Sequence, residues 1–263
     1  MRFSLILLLI LVSACEKAKF SDVAIISHAG AGITAIHSPY IDNSLEAVNY
    51  ALSFEACAGV ELDIQFSKDS SMWVFHDADL KKKFDDALCI SSYTDKELSQ
   101  LELKNGEALI CLNEFDFSRY PNKSFYLDIK HWNNCGLYGQ EVLMRGLEKM
   151  NWQSVGAANI HLLMTQKSWL DSVITHYEKV MYIVNSDENL DEILTQHPGL
   201  YGVEVKYSAT TNTEIEKLKA QGLHVGIFQT RAAKTIRNAI NLHPDFIETD
   251  DFKTAINIVS NGK

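Results

Sequence analysis

Glu61, Asp63 and His76 fall in one short stretch, Val60 to Asp77, that reads as two strands around a polar turn. In the first strand, Val60, Leu62, Ile64 and Phe66 alternate with Glu61, Asp63 and Gln65. A strand has a side-chain period of two, so both carboxylates face the same way. Adjacent carboxylates raise each other's pKa unless a cation sits between them. An all-oxygen pair suits a hard divalent ion, Mg²⁺ or Ca²⁺. The second strand, Met72 to Phe75, ends in His76-Asp77, and histidine moves protons near neutral pH. The stretch therefore offers a metal seat and a proton carrier, although Glu-x-Asp also occurs on the solvated face of a half-exposed sheet.

The elements that must position these groups alternate along the chain. Apolar runs of strand length begin at Val23, Val60, Phe125, Asn159, Val180, Gly202, His224 and Phe246, each with a helical pattern after it. Ser44 is placed to cap the helix that opens at Leu45. Helices are also expected over Leu112–Phe117, Tyr138–Met150 and Lys167–His176. Residues 78–111 are polar and less regular, and read as an insertion. Apolar strands alternating with helices imply a parallel sheet. Eight such units in a chain of 263 residues imply a single-domain (β/α)₈ TIM barrel over residues 23–263. No Gly-x-Gly-x-x-Gly follows a strand, which disfavours an open dinucleotide-binding sheet.

A barrel of this kind carries its site at the C-terminal ends of the strands. His28, Glu61, Asp63, His76, Asp128, Lys130, Glu204, Lys206, Gln229 and Asp250 all fall at or just beyond strand ends. Such a set could bind a divalent cation and an anion while supplying an acid and a base.

Residues 1–14 are of another character: Arg2, an apolar run from Phe3 to Val12, then Ser13-Ala14 before Cys15. The run is too short to span a bilayer and reads as a secretory leader. Its ending resembles a bacterial lipobox, with lipid expected on Cys15, residues 15–22 as a tether, and the protein anchored at the bacterial cell envelope. Loss of Arg2 with the leader leaves 23 basic residues against 34 acidic ones. So acidic a chain is a poor nucleic-acid binder. Export permits disulfides, and Cys89 with Cys111, which bracket the insertion, is the expected pair. Cys57 is expected as a buried thiol, Lys81-Lys82-Lys83 as a solvated loop, and the protein as a monomer.

His28-Ala29-Gly30, Asn43-Ser44-Leu45-Glu46-Ala47, Gly59-Val60-Glu61-Leu62-Asp63, Val74-Phe75-His76-Asp77 and Leu127-Asp128-Ile129-Lys130 occur in that order. Together with Phe246-Ile247-Glu248-Thr249-Asp250 they resemble the motifs of the glycerophosphodiester phosphodiesterase family, a TIM barrel of the phospholipase C-like type. The resemblance implies one divalent cation on Glu61, Asp63 and Asp128, and His28 and His76 as the acid–base pair. It further implies Lys130 on the phosphate of a small-molecule phosphodiester or lipid headgroup, and Asn43 and Gln229 are expected to line the same pocket. The family usually has Arg at the position of Ala29, Glu at that of Asp42 and Glu at that of Asp128. The Asp-x-Lys of the third strand is also similar to sphingomyelinase D. Three outcomes stay open: hydrolysis to glycerol phosphate and an alcohol, a headgroup lyase of the sphingomyelinase D or phosphoinositide phospholipase C kind giving a cyclic phosphate, and phosphoester binding without turnover.

Overall fold

The computed structural model describes residues 22–33, 38–84, 87–103, 106–107, 109–155, 158–185 and 187–261. The leader, Cys15 and most of the tether lie outside the described residues. The strands are β1 (Ala24–Ser27), β2 (Gly59–Phe66), β3 (Met72–Val74), β4 (Ile110–Cys111), β5 (Ser124–Ile129), β6 (Trp132–Asn133), β7 (Gly136–Leu137), β8 (Asn159–Met164), β9 (Val180–Ile183), β10 (Gly202–Lys206), β11 (His224–Thr230) and β12 (Phe246–Thr249). The helices are α1 (Leu45–Leu52), α2 (Lys81–Phe84), α3 (Asp95–Leu98), α4 (Gln140–Glu148), α5 (Trp152–Val155), α6 (Leu170–Ile174), α7 (Leu190–Gln196), α8 (Asn212–Ala220), α9 (Ala233–Ile240) and α10 (Phe252–Asn261).

Eight of the strands, in the order β1-β2-β5-β8-β9-β10-β11-β12, pair in parallel, and β1 also pairs with β12. That last pairing closes the sheet into the expected barrel. Val60, Leu62, Ile64 and Phe66 pack outward with α1 and α4 residues such as Val48, Ala51, Leu143 and Leu147. The alternate positions face the barrel axis, where Ile26, Tyr126, Leu163, Met181 and Phe246 form a separate inner cluster. Gly226 on β11 makes room for it: a Cβ there would lie 2.1 Å from the Phe246 ring. His161 stacks on Tyr126 with ring centroids 4.3 Å apart and completes this floor.

Ser44 caps α1 as expected, its hydroxyl accepting from the Ala47 N–H at 3.1 Å. Other local expectations shift. In place of a Leu112–Phe117 helix there are separate 3₁₀ turns at Leu112–Glu114 and Phe117–Arg119, and the Lys167–His176 helix is a 3₁₀ turn followed by α6. The insertion is bracketed by an antiparallel extension of the sheet, β2-β3-β4.

Two expectations are overturned. The disulfide joins Cys89 to Cys135, not to Cys111. The insertion folds back on the β6–β7 hairpin, whereas Cys111 sits on β4 opposite Trp73 and is a free thiol. Cys57 is buried and reduced. The lysine run is not a solvated loop: it forms α2, and Lys83 is buried with its ammonium 2.6 Å from Asp42. The same ammonium lies over the Phe75 ring at 5.1 Å. Among the described residues, no helix is long and apolar enough to cross a membrane.

Candidate active site

The inner face of β2 delivers Glu61, Asp63 and Gln65, and parallel register sets Asp128 of β5 directly beside Asp63. One oxygen from each of Glu61, Asp63 and Asp128 lies within 4.8 Å of the others. Lys130, two residues beyond Asp128 and on the same face, places its ammonium 2.6 Å from Asp63 and also on Asp128. Burial would pull the Lys130 pKa down, but Asp128 and Asp63 hold it well above the usual value. Burial pushes Asp63 up, yet Lys130 and the two histidines bring it down to about 2. Among the described residues Glu61 has no lysine partner: burial, then Asp63 and Glu248, raise its pKa well above the carboxylate range against the pull of His28.

His28 follows β1. Its Nδ1 is 2.7 Å from Asp250 Oδ1, so Nε2 faces Glu248 at 3.7 Å and Glu61 at 3.8 Å. Burial lowers the His28 pKa, and Glu248, Asp250 and Glu61 outweigh it, leaving the pKa well above normal. His76 is the more exposed histidine. Its Nδ1 lies 3.1 Å from Asp77 Oδ1, a hydrogen bond that raises its pKa against the effect of burial. Gln65 fixes the loop behind it, donating to the carbonyls of Phe75 at 3.1 Å and Asp77 at 2.7 Å. His28, His76, Lys130, Gln229 and Asp250 line one cavity, so both histidines open onto the same mouth.

The loop after β1 is built for the acidic cluster. Ala29 adopts a left-handed conformation (φ 48°), which turns its N–H onto Glu61 Oε2 at 2.9 Å. Asn43, also left-handed (φ 62°), donates from Nδ2 to Asp63 Oδ2 at 2.8 Å and accepts from the Asp63 N–H at 3.1 Å. Both polar ends of the buried Asn43 side chain are thus engaged by Asp63, and Asp42 is held by Lys83. Gln229 lies exposed at an irregularity in β11, with φ 61°.

The structure adds Arg231 and Glu248, which the spacing alone did not single out, and buries the strand-end residue Glu204, which it did. Arg231, just past Gln229, sets its Nε 2.9 Å from Asp250 Oδ2 at the rim of the cavity. Glu248 points inward beside His28, and those two with Glu61 form a second cluster of ligand atoms within 4.8 Å. Glu204 is fully buried, and burial followed by Glu61 and Asp128 pushes its pKa up to about 8. Asp128 Oδ1 and Glu204 Oε1 are buried without a hydrogen-bond partner among the described residues. A signal for Glu248 was present in the sequence, as the inward neighbour of Asp250 two residues earlier. For Arg231 there was none, since it lies beyond the irregularity in β11.

Among curated proteins, none matches the chain in sequence. The barrel superposes on a glycerophosphodiester phosphodiesterase from Parabacteroides distasonis with a TM-score of 0.76 at 19% identity, covering 92% of this chain and 99% of that one. A phosphodiesterase from Oleispira antarctica, solved with the product sn-glycerol-3-phosphate, gives 0.74 at 19% identity, covering 90% and 96%. The glycerophosphodiester phosphodiesterase from Thermotoga maritima gives 0.67 at 22% identity, covering 92% and 98%. The sequence profile of the Glycerophosphoryl diester phosphodiesterase family matches residues 28–254, most of the chain. On that match the protein belongs to the glycerophosphoryl diester phosphodiesterase family and is a phosphoric diester hydrolase.

Proposed function

We propose that the protein hydrolyses glycerophosphodiesters to glycerol phosphate and an alcohol, using one divalent cation and two histidines. The observation that carries this reading is the convergence of His28, Glu61, Asp63 and Asp128 at one end of the barrel. The product bound by the Oleispira antarctica phosphodiesterase agrees with it. The three carboxylates fit a hard ion: all donors are oxygen, they lie within 4.8 Å, and Asp128 Oδ1 is buried with no other partner among the described residues. A bound Mg²⁺ or Ca²⁺ supplies Lewis-acid neutralisation of the phosphoryl charge.

The chain's own groups do the rest. Asn43 orients Asp63 through two hydrogen bonds, and Ala29 N–H orients Glu61. Lys130 adds positive charge where the transition state gains negative charge. Each histidine is held at Nδ1 by a carboxylate, Asp250 for His28 and Asp77 for His76. Nε2 of each is then the atom left to carry a proton, one histidine removing it from the nucleophile and the other delivering it to the leaving oxygen. Gln229 and Arg231 stand at the rim where an uncharged or anionic part of the substrate enters.

Turnover of a soluble glycerophosphodiester by His28→Ala and His76→Ala tests the acid–base assignment. Each should lose about 10²-fold or more in kcat, and parent rates in both would overturn it. Full activity after exhaustive chelation would remove the cation from the reading. Phosphorus NMR of the product separates hydrolysis from a lyase outcome, which the Asp128-x-Lys130 pair keeps in view. We place the protein at the bacterial cell envelope through a lipid on Cys15, as expected from the leader. Metabolic labelling with a fatty acid, lost in Cys15→Ser, checks this.

A further inference from the structure

Four large apolar side chains stand in solvent among the described residues: Leu88 at 49% exposure, Trp132 at 51%, Leu137 at 82% and Trp152 at 38%. Trp152 packs beside Tyr177, away from the mouth. The other three are brought together. Trp132 and Leu137 are register partners across the β6–β7 hairpin, and directly opposed residues of an antiparallel pair project from the same face. Leu88 precedes Cys89, and the disulfide from Cys89 ends on Cys135 in the hairpin turn. Asn134 ties that turn to the Ala78 carbonyl and to Asp79, and the Leu80 N–H donates to the Leu88 carbonyl.

This patch is continuous with the catalytic mouth. The hairpin begins two residues after Lys130, and the 78–89 segment leaves directly from His76-Asp77. Trp132, His76, Asp128 and Lys130 line a single cavity of about 690 Å³. Lys81 and Lys82 are exposed on the same segment, with the Lys82 ammonium 3.9 Å from Asp77. In sequence the segment carries Asp77, Asp79, Asp85 and Asp86 against Lys81, Lys82 and Lys83, so what distinguishes the rim is its three exposed apolar side chains rather than its charge.

We propose that this rim docks on a lipid bilayer surface, so that the enzyme takes phosphodiester headgroups from a membrane. The composition fits that occupant. Indole is at home at the boundary between headgroups and acyl chains. Two leucines supply the apolar insertion. A small soluble glycerophosphodiester is polar and has no use for an exposed Trp–Leu pair. The disulfide and the Asn134 contacts hold the hairpin in place, so the apolar face is presented without an ordering cost at contact.

The proposal rests on the phosphodiesterase reading for its substrate, but docking is measured separately. The mature chain, residues 15–263, carrying Cys15→Ser, and the same chain with Leu88→Ser and Leu137→Ser added, are compared on vesicles of phosphatidylcholine with a minority of phosphatidylglycerol. Co-sedimentation should weaken about tenfold or more in the leucine variant. Turnover of vesicle-borne phosphatidylglycerol should fall in parallel, while turnover of soluble glycerophosphocholine stays within about twofold. Quenching of Trp132 by brominated lipid in the parent, lost in Trp132→Phe, reports the insertion directly. Equal sedimentation and equal vesicle turnover in parent and variant would overturn docking. So would a parent that is dimeric in solution and a variant that is monomeric, since the patch would then be a self-interface. Vesicle binding that depends on the leucines, with no turnover of either substrate, would sustain docking and sink the hydrolytic reading instead.

Discussion

Asp250→Asn isolates one contact at the heart of the site. Asp250 takes His28 Nδ1 at 2.7 Å, the Ile33 N–H at 3.0 Å and Arg231 Nε at 2.9 Å. An amide keeps the volume but loses the charge, and its Nδ2 brings a donor to a place where donors already converge. A hydrogen bond to a charged group contributes about 1.5–3 kcal/mol. If that is lost only where His28 must be held in one tautomer, kcat/KM falls roughly 10- to 150-fold. The assay is initial-rate kinetics on soluble glycerophosphocholine, with thermal melting alongside. The loss should appear in kcat more than in KM, because Asp250 orients a proton carrier through a contact made on the enzyme side. Asp250→Glu should not restore it, since the longer arm cannot keep all three donors at these distances. A kcat within threefold of the parent, with an unchanged melt, would refute the claim that Asp250 orients His28.

Two further outcomes concern stability. Lys83→Met leaves the largely buried Asp42 carboxylate without its 2.6 Å partner, which should destabilise the fold by about 3–5 kcal/mol. Lys83→Met with Asp42→Leu should recover most of that in urea melts, and failure to recover would mean that the two do not act as a pair. His161 is almost fully buried in the barrel floor, and burial, then His224 and Lys179, lower its pKa to about 3. A histidine with a depressed folded pKa takes up its proton mainly in the unfolded chain. Stability should therefore be full above about pH 6.5 and fall through the interval down to about pH 3, by up to ~1.4 kcal/mol per pH unit. His161→Phe, stacked on Tyr126 in the same place, should flatten that acid limb, and an unchanged slope would show that other groups set it.

Most of the barrel was legible because its strands are apolar runs with helices between them, a pattern that few other topologies use. The eight barrel strands begin within one residue of where the apolar runs begin. The acidic residues were legible for a related reason: a period of two puts Glu61 with Asp63, and a barrel leaves them nowhere to point but inward. Pairings between segments were not legible. Cys89 meets Cys135 because the insertion closes over the β6–β7 hairpin, and nothing local in the sequence encodes that fold-back. Lys83 looked like one of three equivalent surface cations until Asp42 came to lie opposite it. Arg231 escaped because the irregularity at Gln229 breaks the simple alternation that located the other residues.

The acidic layer itself argues for a resident cation on grounds separate from activity. Glu61, Asp63, Glu204, Glu248 and Asp250 are all buried, with Asp128 beside them. Among the described residues the cations that face them are Lys130, Arg231 and, when protonated, His28 and His76. Glu204 avoids part of the cost by holding its proton up to about pH 8, and Lys130 neutralises Asp63 and Asp128 at once. Among the described residues Glu61 has only the Ala29 N–H and a histidine. An ion bound by the folded state alone stabilises it, by about 2.7 kcal/mol at a concentration a hundredfold above Kd. The melting temperature should therefore rise with added Mg²⁺ or Ca²⁺ even without substrate. Glu61→Gln should raise the melting temperature of the ion-free protein, because a buried carboxyl among like charges is replaced by an amide, and should abolish the response to the ion. Coupling these opposite signs in one substitution separates a cation seat from a carboxylate kept only for packing, which would lose stability in both conditions.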